Sequence, residues 1–324
     1  MFALSAIAIA IAVAFAVGFA FKRAGLCTYA AAEDIVQHRD PGRLLVFVGA
    51  IAWAALVVVP LNWLFPRLFA LSDSHGLWLT ALLGGLVMGL GAHLNRGCIF
   101  GTFVQLVSGN LTYLGTLAGI SLGVILVDQL PGLVAPALDR TSALVGPGVV
   151  AALWLTPLGL FALAILVRPA LIERLRARSK TAVAMVLVAG IGGGMLYAAV
   201  AGWDYTSVVT GATRAALDAR VSGLTLLAAS CTLAQIVGGV VAALSDGSFR
   251  LQWPRSRPLI GSILGGTLMG GAAAMVPGGN DGMLLTGIPS LAPHSIISFS
   301  FMVIAMLALV YLLHRRPVKQ TQPE

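Results

Sequence analysis

Two cysteines stand in matching glycine-containing breaks, Arg23-Ala24-Gly25-Leu26-Cys27 and Asn95-Arg96-Gly97-Cys98-Ile99-Phe100-Gly101. A thiol donates one weak hydrogen bond, accepts others, and becomes a soft nucleophile when ionised. Each cysteine follows an apolar run of about 20 residues, the length that crosses a hydrocarbon core. Such a run can be interrupted in lipid only where the freed backbone groups find protein or water. Breaks of this kind put helix ends at mid-depth, so the pair predicts re-entrant turns lining a solute path. A neutral thiol suits an anion, because it donates a hydrogen bond without opposing the charge. Plain packing is the competing reading of both cysteines, and the favoured one for Cys231.

The elements that must position these thiols are membrane spans. Of 324 residues, 58% are hydrophobic and 10% charged, too few charges to clothe a soluble core of this size. The expected fold class is an all-α polytopic membrane protein, one integral membrane domain over residues 1–324. The net charge of +8 comes from scattered basic residues without interleaved aromatics, which excludes a nucleic-acid surface. The three cysteines form no disulfide framework, and Cys27, Cys98 and His93 have no metal spacing. No nucleophile has an adjacent base and no Walker A sequence occurs, so neither an enzyme nor a cofactor is expected.

Nine spans are predicted, near 2–21, 44–64, 77–95, 111–130, 147–167, 182–202, 221–243, 258–276 and 295–314. With loops assigned to alternate sides, one side holds only Arg67, Arg140, Arg214 and Arg220; the rest of the 20 Lys and Arg residues lie on the other. The positive-inside rule makes the richer side cytoplasmic, the N-terminus external and the C-terminus internal. Lys22 and Arg23 follow the first apolar run, the reverse of a signal peptide, so it reads as a retained span.

An internal repeat accompanies this layout. Gly84-Gly85-Leu86-Val87-Met88-Gly89-Leu90-Gly91-Ala92 is echoed by Gly265-Gly266-Thr267-Leu268-Met269-Gly270-Gly271-Ala272-Ala273, and the same offset pairs Gly97 with Gly278 and Gly101 with Gly282. Half-repeats over 1–130 and 182–314, joined by a span at 147–167, would be inverted relative to one another. Re-entrant segments are expected from the inside at 24–35 and 97–107, and from the outside at 204–213 and 278–288. Their helix N-termini would converge on a place suited to a small anion. Trp203-Asp204-Tyr205 reads first as an interfacial aromatic cluster and second as part of an outer vestibule.

The ordered set Phe21-Lys22-Arg23-Ala24-Gly25-Leu26-Cys27, Gly84-Gly85 to Met88-Gly89, and Arg96-Gly97-Cys98 with Gly101 resembles the YeeE/YedE sulfur-transport family. The resemblance implies an inner-membrane permease that imports thiosulfate or a related small sulfur-containing anion through a central thiol-lined constriction, and a cytoplasmic sulfur-transfer protein as partner. The substrate-binding residues would be Cys27, Cys98, Arg23, Arg96, Gly97, Gly101, Gly278, Gly279 and Asn280. Arg23 and Arg96 also read as cytoplasmic anchors. The family usually has a further cysteine within Gly-Cys-Asn-x-Gly, where this chain has Gly278-Gly279-Asn280-Asp281-Gly282. Gly279 therefore stands in place of a thiol, and Asp281 adds a carboxylate that does not favour an anion. A different small solute, such as a selenium species, and a non-transporting subunit that gathers sulfur-transfer proteins remain as alternatives. Moving a dianion inward against 100 mV costs about 4.6 kcal/mol, which calls for rapid consumption, a co-transported cation or a partner's energy.

Overall fold

A computed structural model describes residues 2–72, 78–130, 142–144, 146–167, 181–217, 225–276 and 279–314. Gly278 and the basic stretch 171–180 lie outside the described residues. Long apolar runs become helices because the bilayer leaves backbone groups no other partner. In chain order they are α1 (Phe2–Ala24), α2 (Thr28–Glu33), α3 (Gly42–Leu64), α4 (Trp78–Asn95), α5 (Ile99–Val107), α6 (Leu114–Asp128) and α7 (Val149–Val167). They continue as α8 (Thr181–Leu187), α9 (Gly193–Ala199), α10 (Tyr205–Leu217), α11 (Leu226–Ser245), α12 (Ser256–Met275), α13 (Gly279–Gly282) and α14 (Pro293–His314).

Among the described residues, seven helical segments are long and apolar enough to cross a membrane, those containing α1, α3, α6, α7, α11, α12 and α14. The other two predicted spans fall on α4, of 18 residues, and on α8 and α9, which a wide helical turn at Val188–Gly192 joins into one continuous helix. Among the described residues the sole sheet-like pairing is one parallel bridge between Asn110 and Gln252.

The echoed glycines mark where helices meet. A side chain on Gly85 of α4 would strike the Ser298 carbonyl of α14, and one on Gly89 would lie 2.7 Å from the Met302 carbonyl. In α12, side chains on Gly266 and Gly270 would strike the Thr116 and Ile120 carbonyls of α6. α4 thus receives α14 and α12 receives α6, at a backbone separation only a missing Cβ permits. Gly91 and Gly265 bring α4 and α12 themselves together. Elsewhere Gly18 of α1 meets the Gln235 carbonyl of α11, and Gly238 returns the contact on the Phe15 carbonyl.

Contacts between loops join helix ends distant in sequence. Asp246 pairs with Lys22 at 4.0 Å and Arg23 at 3.7 Å, and Gln252 meets Asn110. Arg214 pairs with Asp128 at 2.8 Å, the Ala70 amide bonds the Ala198 carbonyl at 2.8 Å, and the Ser72 amide bonds the Ser290 hydroxyl at 3.1 Å.

Candidate functional site

Two helix ends build the thiol pair in the same way. After α1, Gly25 turns left-handed (φ 58°). Its amide bonds the Lys22 carbonyl, and the Leu26 amide reaches Phe21 at 3.4 Å. After α4, Arg96 takes the left-handed place (φ 54°); its amide bonds His93 and the Gly97 amide reaches Ala92 at 2.9 Å. Both are Schellman-type terminations, which satisfy the last carbonyls and swing the chain back toward the core. Two residues after each left-handed turn stands a cysteine, and at once a new helix begins, α2 after Cys27 and α5 after Cys98.

The turns bring the sulfurs together. Cys27 Sγ lies 4.0 Å from Cys98 Sγ. The Thr28 amide donates to Cys98 Sγ at 3.1 Å, and the Ala30 amide donates to Cys27 Sγ at 3.4 Å. Gly101, one turn into α5, makes room: a Cβ there would sit 2.5 Å from Cys27 Sγ and 4.0 Å from Cys98 Sγ. Cys98 is buried and Cys27 half-buried, so the pair has one accessible member.

Asn95 fixes this arrangement, although an asparagine closing an apolar span was its sole signal in the sequence. Its buried amide donates to the Gly97 carbonyl at 2.8 Å and the Thr102 hydroxyl at 2.9 Å, and its oxygen accepts from Thr116 at 2.7 Å. It ties the end of α4 to α5 and α6. Gly97 contributes that carbonyl rather than a special conformation; a Cβ on it would meet Tyr113 at an ordinary 3.6 Å.

The predicted arginines have partners and surroundings of their own. Arg23 faces Asp246. Arg96 lines a cleft of about 910 Å³, with Asn95, Tyr113, Trp253, Arg255 and Arg257 among its walls. The cleft therefore opens beside the Cys98 turn. Cys231 is fully buried within α11, as a packing residue would be.

Two further left-handed glycines introduce different chemistry. Gly202 (φ 65°) and Gly279 (φ 54°) are each followed two residues on by a carboxylate, Asp204 and Asp281. Asp281 lies inside the short helix α13, which begins at Gly279, the residue that the sequence offset pairs with Cys98. Trp203, Asp204 and Tyr205 are at most 6% exposed, which corrects their reading as interfacial: the Gly202 turn sends them inward. Asp204 caps α10, accepting from the Ser207 amide at 2.8 Å and its hydroxyl at 2.5 Å. The Thr206 hydroxyl lies against Asp204 and 3.3 Å from Asp281 Oδ2.

The two turn pairs adjoin. A Cβ on Gly279 would lie 3.7 Å from the Ile99 side chain, next to Cys98, and 3.3 Å from Asp281 Oδ1. Asn280 is fully buried beside them. The structure thus gathers Cys27, Cys98 and Gly101 into one cluster and Gly279 and Asn280 into a second that touches it through Ile99.

A family model described as sulphur transport matches residues 23–308, from the first break to within α14. A relative named thiosulfate transporter TsuA, from Spirochaeta thermophila, is 35% identical over 82 residues, which are 25% of this chain and 25% of that protein. The match thus spans about a quarter of the relative's length. With its membrane-length helices and a family match over most of its length, the chain belongs to the sulphur transport family, whose members are membrane transporters and not enzymes.

Proposed function

We propose that this protein is an inner-membrane permease that imports thiosulfate or a related small sulfur-containing anion past the Cys27–Cys98 pair. The observation that carries the reading is the pair itself: two thiols 4.0 Å apart, each at a left-handed break in a membrane helix, over a glycine that leaves them room. The anion's oxygens accept the S–H hydrogens, and the sulfurs need no covalent step. The cleft with Arg96, Arg255 and Arg257 forms the exit, where positive charge draws the anion off and a cytoplasmic sulfur-transfer protein receives it.

The architecture in this reading has nine spans in two inverted halves, N-terminus outside and C-terminus cytoplasmic. Reciprocal glycine packing of α4 on α14 and α12 on α6 supports the two halves, and the basic bias of one loop set supports the orientation. A second reading, another small solute such as a selenium species, is favoured by Gly279 in place of a further thiol and by the buried Asp281 carboxylate beside it.

Uptake of labelled thiosulfate into proteoliposomes tests the proposal, with Cys27→Ala and Cys98→Ala beside the parent. Saturable flux that falls at least about tenfold in both folded variants, a loss of some 1.4 kcal/mol in transition-state free energy, is the expected result. A folded parent without flux overturns the substrate.

A further inference from the structure

Asp204 and Asp281 are 2% and 4% exposed, and among the described residues no Lys, Arg or His lies within ion-pair distance of either. The Thr206 hydroxyl touches both carboxyl groups, yet it has one hydrogen to give. If Thr206 donates to Asp204, its contact with Asp281 Oδ2 is attractive only when Asp281 supplies the hydrogen. Asp281 Oδ1 is buried without a hydrogen-bond partner, 3.3 Å from where a Cβ on Gly279 would stand, while the Tyr197 phenol is a hydrogen-bonding group facing the Asp281 carboxyl from α9. A buried, unpartnered carboxylate oxygen favours the neutral acid, and two neighbouring carboxylates do not both ionise in such a place.

We propose that Asp204 and Asp281 form a proton-binding site that carries H⁺ inward with the sulfur anion. The inference rests on the transport reading above. A proton from outside adds to the Asp281 carboxylate, the O–H donates to Thr206, and the same proton leaves to water on the cytoplasmic side after the anion has passed Cys98. No bond other than O–H forms or breaks. Each proton cancels one negative charge of the anion, so the membrane potential opposes the import less. The titratable groups facing the pair are Tyr197 at the end of α9, Tyr205 at the start of α10, and Cys98 and Cys27 beyond Ile99.

Two measurements on the full chain in proteoliposomes decide the matter. Infrared difference titration without thiosulfate should show a carboxylic-acid C=O band that disappears in Asp281→Asn; should that variant not fold, Thr206→Val should shift the band instead. In transport, an inward acid gradient at zero potential should raise thiosulfate accumulation about tenfold per pH unit for one proton per anion, with a trapped dye reporting lumenal acidification in step. Absence of the band overturns the proton site whatever the flux. Thiosulfate flux that ignores the acid gradient, or follows a sodium gradient, overturns the coupling while leaving the permease reading intact. A parent with the band but no thiosulfate flux sinks the substrate reading and keeps the proton site.

Discussion

The Tyr205 hydroxyl donates to the Ile99 carbonyl at 2.5 Å, joining the first residue of α10 to the first residue of α5. One helix begins after the Gly202 turn and the other after the Arg96 turn, so the bond ties the two turns together. It fixes the distance from the carboxylate pair to the thiol pair.

Tyr205→Phe should therefore loosen the contact without emptying the ring's place. Loss of one buried hydrogen bond costs about 1–2 kcal/mol, the Ile99 carbonyl being left unpaired. A thermal shift in detergent should register the loss. Flux should fall several-fold while Cys27 and Cys98 remain reactive to each other.

Gly101 and Gly97 should respond in opposite ways to alanine. At Gly101 the new methyl would press on Cys27 Sγ at 2.5 Å, an overpacking that costs about 1–3 kcal/mol and fills the space before the thiols. Uptake should collapse in Gly101→Ala and stay near the parental rate in Gly97→Ala. Equal loss in both would show that space at the sulfurs is not what Gly101 provides.

Arg96 holds a left-handed conformation that costs a non-glycine residue about 1–2 kcal/mol. Arg96→Gly should raise stability by up to about 1 kcal/mol and weaken anion handling at the cleft, seen as a rise in KM with more salt-tolerant transport. A variant less stable than the parent would mean that the side chain, rather than the turn, holds the helix end.

Mercuric ion, which binds two thiolates, should bridge Cys27 and Cys98 and stop flux at stoichiometric dose. Removing either cysteine should lower the sensitivity sharply, and Cys231→Ala should leave it unchanged. Sensitivity that tracks Cys231 would place the reactive sulfur in α11.

Much of this was legible in the residues. The breaks before Cys27 and Cys98 announced themselves through Gly25 and Gly97 inside apolar runs, and the loop charges sorted segments that touch in the fold, such as Arg23 with Asp246 and Asn110 with Gln252. The left-handed residue before Cys98 was not legible, because an arginine occupies it and carries no glycine signature. Trp203 and Tyr205 looked interfacial because aromatic residues at span ends normally are, and only the Gly202 turn reverses their direction. The pairing of Asp204 with Asp281 through Thr206 joins residues 77 positions apart, beyond any local pattern.

The glycine face of α4 and that of α6, where Gly119 and Gly123 meet the Ile263 and Thr267 carbonyls of α12, have a consequence for biogenesis. The helices that fill them, α14 and α12, are among the last to leave the ribosome. Until then α4 and α6 carry backbone grooves in lipid that nothing seals, and the Cys98 turn has no α13 to close against. A nascent chain halted before α12 should thus present as an orphan to membrane quality control, and the thiol pair should acquire its final environment only after translation has ended.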